Sequence, residues 1–498
     1  MDDRISNKKL SGKMVSPQEA ASIIKDGMTV AMGGFTPSGY PKVIPKELLN
    51  RRQAGEQLTI NLITAANVGP EIDDDLGDAG IINRRLPLQG STMLGNLINQ
   101  GKVNYVEIPL NKMPRFIQRE IFGNIDVAVV EAIALTKDGY IVPSTSIGLS
   151  PHFVQKAKDV IVELNSAQPS ELVGMHDIYI PALPPNKKPV PLVRTNQRIG
   201  EPFIKIDPNK IKYIVKSDIL DQATTFSQIQ PVTKKISDNL FNFLELEVKY
   251  RWGGVLAPIQ TGLGNMANQL TGEFKNSKFT DIEFFCGILQ EANIELIAQG
   301  KVKAASAIGF TPSAKAIRLI KKNQDVFERV MVLRPTDVSS NGEIIERLGV
   351  VALNSAIEID IYGNANTSHA MGTKVLGGIG GGGVFTQNSQ LSIMLLPSET
   401  KGGVVSTIVP MVTHNDINEH DIDVVITENG VADLRGKTPV ERAKAIIGNC
   451  ASSVYKDQLY SYLRKSIKNA GGHQPQLLRE AFSWHLRLQE TGTMRERY

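Results

Sequence analysis

Met28-Thr29-Val30-Ala31-Met32 runs straight into Gly33-Gly34-Phe35-Thr36-Pro37-Ser38-Gly39. A short apolar run that ends in a glycine-bearing loop reads as a strand buried on both faces, turning toward a helix. Upstream, Ser16-Pro17-Gln18-Glu19 reads as a capping box with proline at the first helical position. The helix it starts is expected to carry Ala20, Ala21, Ile23 and Ile24 and to stop at Gly27.

The same grammar recurs downstream. Leu58–Ile63, Ile125–Val130 and Asp159–Glu163 are further apolar runs separated by helix-like stretches. Strands this uniformly apolar predict a mostly parallel sheet covered by helices, the α/β class. Two segments return: GGFTPSG at 33–39 comes back as IGFTPSA at 308–314, and IDVAVVE, ending at Glu131, comes back as IDVVITE, ending at Glu428. These returns predict a duplicated α/β unit, with the join near residues 220–235 and domains spanning 1–225 and 226–498. Pro181–Pro191 (PALPPNKKPVP) fits neither a central strand nor a helix interior, and reads as an exposed connection.

Bulk composition narrows the function classes. The chain has 498 residues, 55 basic against 51 acidic, and a net charge of +4, so it lacks the basic field a nucleic-acid binder needs. No stretch approaches the ~20 apolar residues of a membrane span. The start, Met1-Asp2-Asp3-Arg4, is charged and has no apolar region typical of a signal peptide. Two cysteines, Cys286 and Cys450, cannot form a disulfide framework and predict a reducing, cytoplasmic setting.

Glycine marks the candidate chemistry. Besides the 33–39 loop there are Gly253-Gly254 with Gln260-Thr261-Gly262-Leu263-Gly264-Asn265, then the run Gly377-Gly378-Ile379-Gly380-Gly381-Gly382-Gly383, then Lys401-Gly402-Gly403. Backbone N–H groups in such a run can approach a phosphate or a developing oxyanion, because no Cβ intervenes. A tight turn between strands is the plainer reading. No segment fits a P-loop, and the match of 378–383 to G-x-G-x-x-G arises only because nearly every residue there is glycine, so a nicotinamide cofactor is rejected. His414, Asp416, Glu419 and His420 lie close in sequence but match no metal-ligand spacing, and no metal is expected. Cys286, between an apolar run and Gly287, reads as a buried thiol whose reactivity would require a lowered pKa.

Four blocks carry a resemblance: GGFTPSGYPKVIP from Gly33, TGLGNMANQL at Thr261–Leu270, the segment Val351–Gly383, and Ser398–Ala443 with its TENGVADLRGKTPVERA core. In order and over nearly the whole chain they resemble the acetyl-CoA hydrolase/transferase family, which includes acetate, succinate, propionate and butyrate CoA-transferases. The resemblance implies two similar CoA-transferase-type α/β domains with the active site in the cleft between them. It implies coenzyme A as a substrate, an acyl-CoA and a small carboxylate as partners, and a homodimer or higher homo-oligomer, with a homologous subunit as a further option. It also implies a covalent mechanism, in which a glutamate attacks the thioester to give an anhydride and then a glutamyl-CoA thioester.

That glutamate stands in a pattern like T-E-V-x-Q-D, where this chain reads Cys286-Gly287-Ile288-Leu289-Gln290-Glu291. Counting from Gln290 and from Gly300 puts Gly287 at the nucleophile's position. Other departures accompany it: Val384 follows the glycine run where relatives carry aspartate, Ser340 stands for an asparagine, and Gln222 for an arginine. Glu428 retains a position that contacts the substrate carboxylate in relatives. Glu291, one helical turn beyond Gly287, and Cys286 are the other groups that could assist. The expected CoA-binding residues are Gly262, Gly264, Asn265, Gly378, Gly380, Gly381, Gly382 and Lys401. Two readings result: CoA transfer or thioester hydrolysis by altered chemistry, or a non-catalytic acyl-CoA-binding paralogue or partner subunit.

Overall fold

The computed structural model describes residues 4–222 and 225–496. Met1–Asp3, part of the charged start, lie outside the described residues, as do Ala223 and Thr224 within the expected join. The chain forms two compact units. The first comprises Met1–Thr225, Thr280–Leu348 and Gly377–Val384; the second comprises Phe226–Phe279, Gly349–Leu376 and Phe385–Tyr498. Residue 225 closes the first unit's longest segment, and two later pieces of chain also join that unit. Their attachment is visible in hydrogen bonds: Phe310 N donates to Thr145 O at 3.2 Å, and Asp177 N to Leu333 O at 2.8 Å.

The first unit is built on seven strands: β1 (Thr29–Met32), β2 (Ile60–Ile63), β3 (Ile82–Leu86), β4 (Asn104–Tyr105), β5 (Val127–Ala132), β6 (Asp159–Asn165) and β7 (Ile211–Ser217). They pair in the order β4-β3-β2-β1-β5-β6-β7, and every pairing is parallel. β5 is buried at all six positions and β6 at six of seven, which is why their sequences run apolar instead of alternating. Ile44, Leu48, Ile72, Leu76 and Leu94, from helices on the sheet's face, pack against Val30, Ile60, Leu62 and Val129. A second, smaller parallel group pairs Ile282–Phe285 with Val302–Ala307 and the latter with Met331–Leu333. Just past the carboxyl ends of the first two strands, Ile288–Leu289 pairs parallel with Gly309–Phe310.

The helix opened by the Ser16 capping box is shorter than the sequence predicts. It spans Pro17–Ala21, with Ser16 accepting from Glu19 N as expected. Ser22 Oγ then turns back on Glu19 O at 2.7 Å, and Ile24 N bonds Ala21 O in a tighter turn, so the helix closes before Gly27. Pro181–Pro191 contains neither helix nor strand and is largely exposed between Pro184 and Pro189.

The second unit contributes five strands of its own. Ile259–Thr261, Val351–Ser355, Leu391–Leu395 and Val424–Thr427 pair parallel in that order, and Gly430–Asp433 closes the edge antiparallel. Pro439–Cys450 begins with the complete capping box of Thr438 and Glu441 and buries Ala443, Ile446, Ile447 and Cys450 in the unit's core. No helix among the described residues is long and apolar enough to cross a membrane.

Candidate active site

Strand order in the first unit reverses between β1 and β5, and ligands of open parallel sheets gather at the carboxyl ends of strands beside such a reversal. The loop after β1 is Gly33–Gly39. Phe35 N donates to Ser38 O at 3.0 Å, and Ser38 N to Thr36 O at 2.7 Å, folding the loop on itself. Thr36 sits at φ +56, a left-handed conformation that a β-branched residue rarely adopts.

Buried polar groups bolt this loop down. Ser38 Oγ lies 2.9 Å from both Thr145 Oγ1 and Phe310 O, Ser146 Oγ donates to Ser38 O at 2.8 Å, and Gly39 N donates to Asp221 Oδ1 at 3.1 Å. Beneath them, the fully buried Lys42 ammonium spends its three hydrogens on Tyr40 O (2.7 Å), Glu131 Oε2 (2.6 Å) and Asp221 Oδ1 (2.8 Å). Glu131, at the end of β5, also receives Asn165 Nδ2, Ser144 Oγ and Gln168 Nε2 at 2.6–2.9 Å. Glu163, on β6, accepts from the N–H groups of Lys42 and Val43, so a carboxylate caps the helix Val43–Gln53.

The electrostatics of this cluster are balanced closely. Burial alone lowers Lys42, but Glu131, Asp221 and Glu163 outweigh it and hold the ammonium above its ordinary pKa. Burial pushes Glu131 up to about 7 against the pull of Lys42 and Asn165. Neighbouring His176 is pushed down to about 4 by burial and donates Nε2–H to Ser144 O at 2.9 Å.

Gly287 lies between the strands Ile282–Phe285 and Ile288–Leu289, half-buried. A Cβ placed on it would meet only Phe35, at 3.9 Å from Cε1 and Cζ, which is ordinary contact. Phe35 itself is 4% exposed and held by the bolted loop. The place therefore has an aromatic wall and room for a side chain. Cys286 is fully buried, with its N–H on Ser306 O at 2.9 Å. Glu291 opens the helix Glu291–Ala298 and is engaged by Ser313 Oγ and, at 3.9 Å, by Lys315 Nζ.

The glycine run 377–383 belongs to the same unit. Tyr105 OH donates to Gly377 O at 2.9 Å, Ile379 N to Glu107 Oε1 at 2.6 Å, and Leu110 N to Gly380 O at 3.1 Å. A Cβ on Gly378 would fall 2.5 Å from Leu88 Cδ1 and 2.7 Å from Tyr105 OH, so any larger residue there would have to displace those side-chain ends. On the run's far side, Ser340 Oγ lies 3.8 Å from where a Cβ on Gly381 would stand.

The remaining predicted residues belong to the second unit. Glu428 accepts from Ser398 N at 2.8 Å and Ser398 Oγ at 2.5 Å, and Asn429 Nδ2 donates to that hydroxyl at 2.9 Å. Lys401 is exposed at φ +51, and Gly402 and Gly403 continue the left-handed conformation at +68 and +82. Gly262 N donates to Leu353 O, Gly264 has φ +117, and Asn265 clasps Ser227 through Oδ1 (2.9 Å) and Nδ2 (2.6 Å). The histidine-rich segment serves local structure: Asp416 receives Thr367 N and Ser368 Oγ, and the His414 ring lies 3.9 Å from that of His369. Among the described residues, no group of three His, Cys, Asp or Glu side chains is arranged to hold a metal.

Sequence reasoning singled out the Phe35 loop but not Lys42, Asp221, Tyr105 or Glu107. A lysine ordinarily faces solvent, and nothing local marks this one as buried. Tyr105 ends a two-residue edge strand too short to register as an element, and Glu107 lies two residues beyond it.

Comparison with known proteins now places the chain. Residues 1–218 match the acetyl-CoA hydrolase/transferase N-terminal domain, and residues 318–463 match the C-terminal domain of the same name. The chain is 41% identical to succinyl-CoA:acetate CoA-transferase of Clostridium kluyveri, over 99% of this chain and 92% of that protein. It is 39% identical to propanoyl-CoA:succinate CoA transferase of Escherichia coli, over 96% and 98%. With acetyl-CoA hydrolase of Yarrowia lipolytica the identity is 36%, over 95% and 94%. In fold it is similar to RipA from Yersinia pestis, with TM-score 0.74 at 21% identity over 92% of this chain and 98% of that one. The 4-hydroxybutyrate CoA-transferase of Porphyromonas gingivalis follows, with TM-score 0.64 at 19% identity over 91% and 98%. The chain belongs to the acetyl-CoA hydrolase/transferase family.

Proposed function

We propose that this protein binds an acyl-CoA and acts on its thioester, by transferring CoA between a short-chain acyl-CoA and a small carboxylate or by hydrolysing the thioester, with Gly287 standing where its relatives carry the glutamate nucleophile. We assign CoA binding to Gly262, Gly264, Asn265, Gly378, Gly380, Gly381, Gly382 and Lys401, and contact with the substrate carboxylate to Glu428, each on the family resemblance. The division into domains 1–225 and 226–498 is retained as the sequence-level description of the duplication. Both cysteines are buried thiols, in keeping with a cytoplasmic protein. A homo-oligomer is proposed on the family resemblance.

One observation carries the mechanistic part: Gly287 brings no carboxylate, and only Phe35 carbons approach the position its Cβ would take. A glutamyl anhydride cannot form there. Hydrolysis needs a group that activates water, and Glu428 and Glu291 are the candidate carboxylates. Each accepts a hydrogen bond from a serine hydroxyl, Glu428 from Ser398 and Glu291 from Ser313, which holds its carboxylate in place. The same observation supports a second reading, an acyl-CoA-binding paralogue or partner subunit without chemistry of its own.

The test is a panel of acyl-CoAs, with and without acetate or succinate, following free thiol and CoA transfer, with Gly287→Glu run in parallel. The enzyme reading expects thioester hydrolysis by the wild type and CoA transfer gained by Gly287→Glu, more strongly when combined with Ser340→Asn and Val384→Asp. Ping-pong transfer by the wild type would refute the assignment of Gly287. Silence from all variants, with acyl-CoA still bound, would establish the binding reading instead.

A further inference from the structure

The run Gly377–Gly383 contains six glycines in seven residues. Such a segment loses more conformational freedom on ordering than any other of its length. Gly381, Gly382 and Gly383 have no side chain with which to fix themselves. The structure nonetheless gives the run one defined path, and three successive contacts from residues 105–110 describe it. Tyr105 OH holds Gly377 O at 2.9 Å, the Glu107 carboxylate receives Ile379 N–H at 2.6 Å, and Leu110 N–H reaches Gly380 O at 3.1 Å. Leu88 and Tyr105 close the wall behind Gly378, where a Cβ would have to push Leu88 Cδ1 and the Tyr105 hydroxyl aside. Burial, then the Glu107 charge, raise the Tyr105 phenol above its ordinary pKa, which keeps it a donor.

From this geometry we propose that Tyr105 and Glu107 are positioning residues, which hold the glycine run in its ligand-ready shape before any ligand arrives. Preorganisation removes an ordering cost that would otherwise be taken from binding. Glu107 is the stronger anchor. Its bond is short and charge-assisted, and its loss leaves a backbone N–H without that partner. Tyr105 contributes a neutral bond plus the wall behind Gly378. Neither residue is placed to touch the thioester; both act through the run. This assignment rests on the reading of residues 377–383 as part of the acyl-CoA site, while the shape of the run in free protein does not.

The experiment therefore has two arms. Hydrogen exchange of peptides covering residues 377–384 is measured without ligand in wild type, Glu107→Gln, Glu107→Ala and Tyr105→Phe. Acyl-CoA affinity of the same four proteins is measured by calorimetry, alongside Tm. Exchange in the run is expected to rise about tenfold or more in Glu107→Ala, less in Glu107→Gln, and least in Tyr105→Phe. Acyl-CoA Kd is expected to follow the same order while Tm and exchange elsewhere stay close to wild type. A purely structural role would lower Tm and raise exchange throughout the unit, and would overturn the proposal. So would unchanged exchange in the run, or raised exchange with unchanged Kd. If wild type binds no acyl-CoA, the functional reading fails, and the exchange arm alone still decides whether the clamp exists. Should Glu107→Ala fail to fold, Glu107→Gln and Tyr105→Phe carry the same comparison.

Discussion

Two copies of Gly-Phe-Thr-Pro-Ser occur in the first unit, at 34–38 and 309–313, and the five residues take two different shapes. In the first copy Thr36 is left-handed at φ +56, and Ser38 is pinned between Thr145 and Phe310. In the second, Thr311 is not among the residues with positive φ, and Ser313 caps the helix Ala314–Lys322 through Ala316 N. The difference follows from what comes next. Gly39 adopts φ +63 and lets the first copy turn once more, whereas Ala314 can enter a helix at once. Identical local sequence thus yields a strained, bolted loop in one place and a helix cap in the other. The strained copy is the one whose phenylalanine walls Gly287.

The largest way to break this comparison is to remove the bolt. Lys42→Met leaves Glu131, Asp221 and Glu163 buried without their cation, and is expected to cost about 3–5 kcal/mol in denaturant unfolding. Lys315→Met, close after the second copy, removes an ion pair that is half-exposed on the lysine side and should cost under about 1 kcal/mol. The first variant should also sharpen pH dependence. Glu131 in the folded protein has its pKa raised, to about 7 from an ordinary 4.5. A raised carboxyl binds its proton more tightly when folded, so its contribution to stability is full below pH 4.5 and is lost as pH rises through about 7. Without Lys42 the loss should extend to higher pH. Stability of Lys42→Met that is flat between pH 5 and 9 would show that Glu131 is ionised throughout.

Next in size is Gly39→Ala. Its Cβ would lie 2.9 Å from the Ser146 backbone nitrogen, at a φ of +63 that alanine resists. About 2 kcal/mol of destabilisation is expected. The mirror change, Ala314→Gly, loses only helix propensity and should cost under about 1 kcal/mol. Equal costs at the two positions would mean that backbone conformation is not what separates the copies.

How far the sequence foretold these differences depends on the range of the interactions. Strands such as Val127–Ala132 and the glycine run were legible because apolar continuity and glycine clustering are local signals. The match between the two GFTPS segments was legible too, but their divergence was not, since it depends on Asp221, Thr145 and Ser146 arriving from elsewhere in the chain. The assignment of residues 280–348 to the first unit has the same cause: the bonds joining Phe310 to Thr145 and Leu333 to Asp177 span more than 150 residues. Of the candidate site, Gly287 and the glycine run could be found by register, whereas Lys42 and Glu107 carry no mark distinguishing them from surface charges. The early end of the helix Pro17–Ala21 is a smaller case, decided by one serine hydroxyl turning onto Glu19 O.

The smallest expected effect is also the one that tests strain directly. Thr36→Gly frees a β-branched residue from the left-handed region, a relief of about 1–2 kcal/mol. Against it stand the lost burial of the threonine side chain, the lost bond from its hydroxyl to Phe35 O at 2.5 Å, and the entropy that glycine adds to the unfolded chain, together of similar size. The net change in stability is therefore expected to lie within about 0.5 kcal/mol of zero or to be slightly stabilising. Thr311→Gly has no strain to relieve, because Thr311 sits in an ordinary conformation with its N–H on Leu289 O at 2.8 Å. It should destabilise by about 1–2 kcal/mol. Paired denaturation curves of the two variants read the difference, and a Thr36→Gly cost matching that of Thr311→Gly would mean that the first loop stores no strain. If the expected contrast holds, the threonine at 36 is retained at the expense of stability, next in sequence to the phenylalanine that walls Gly287.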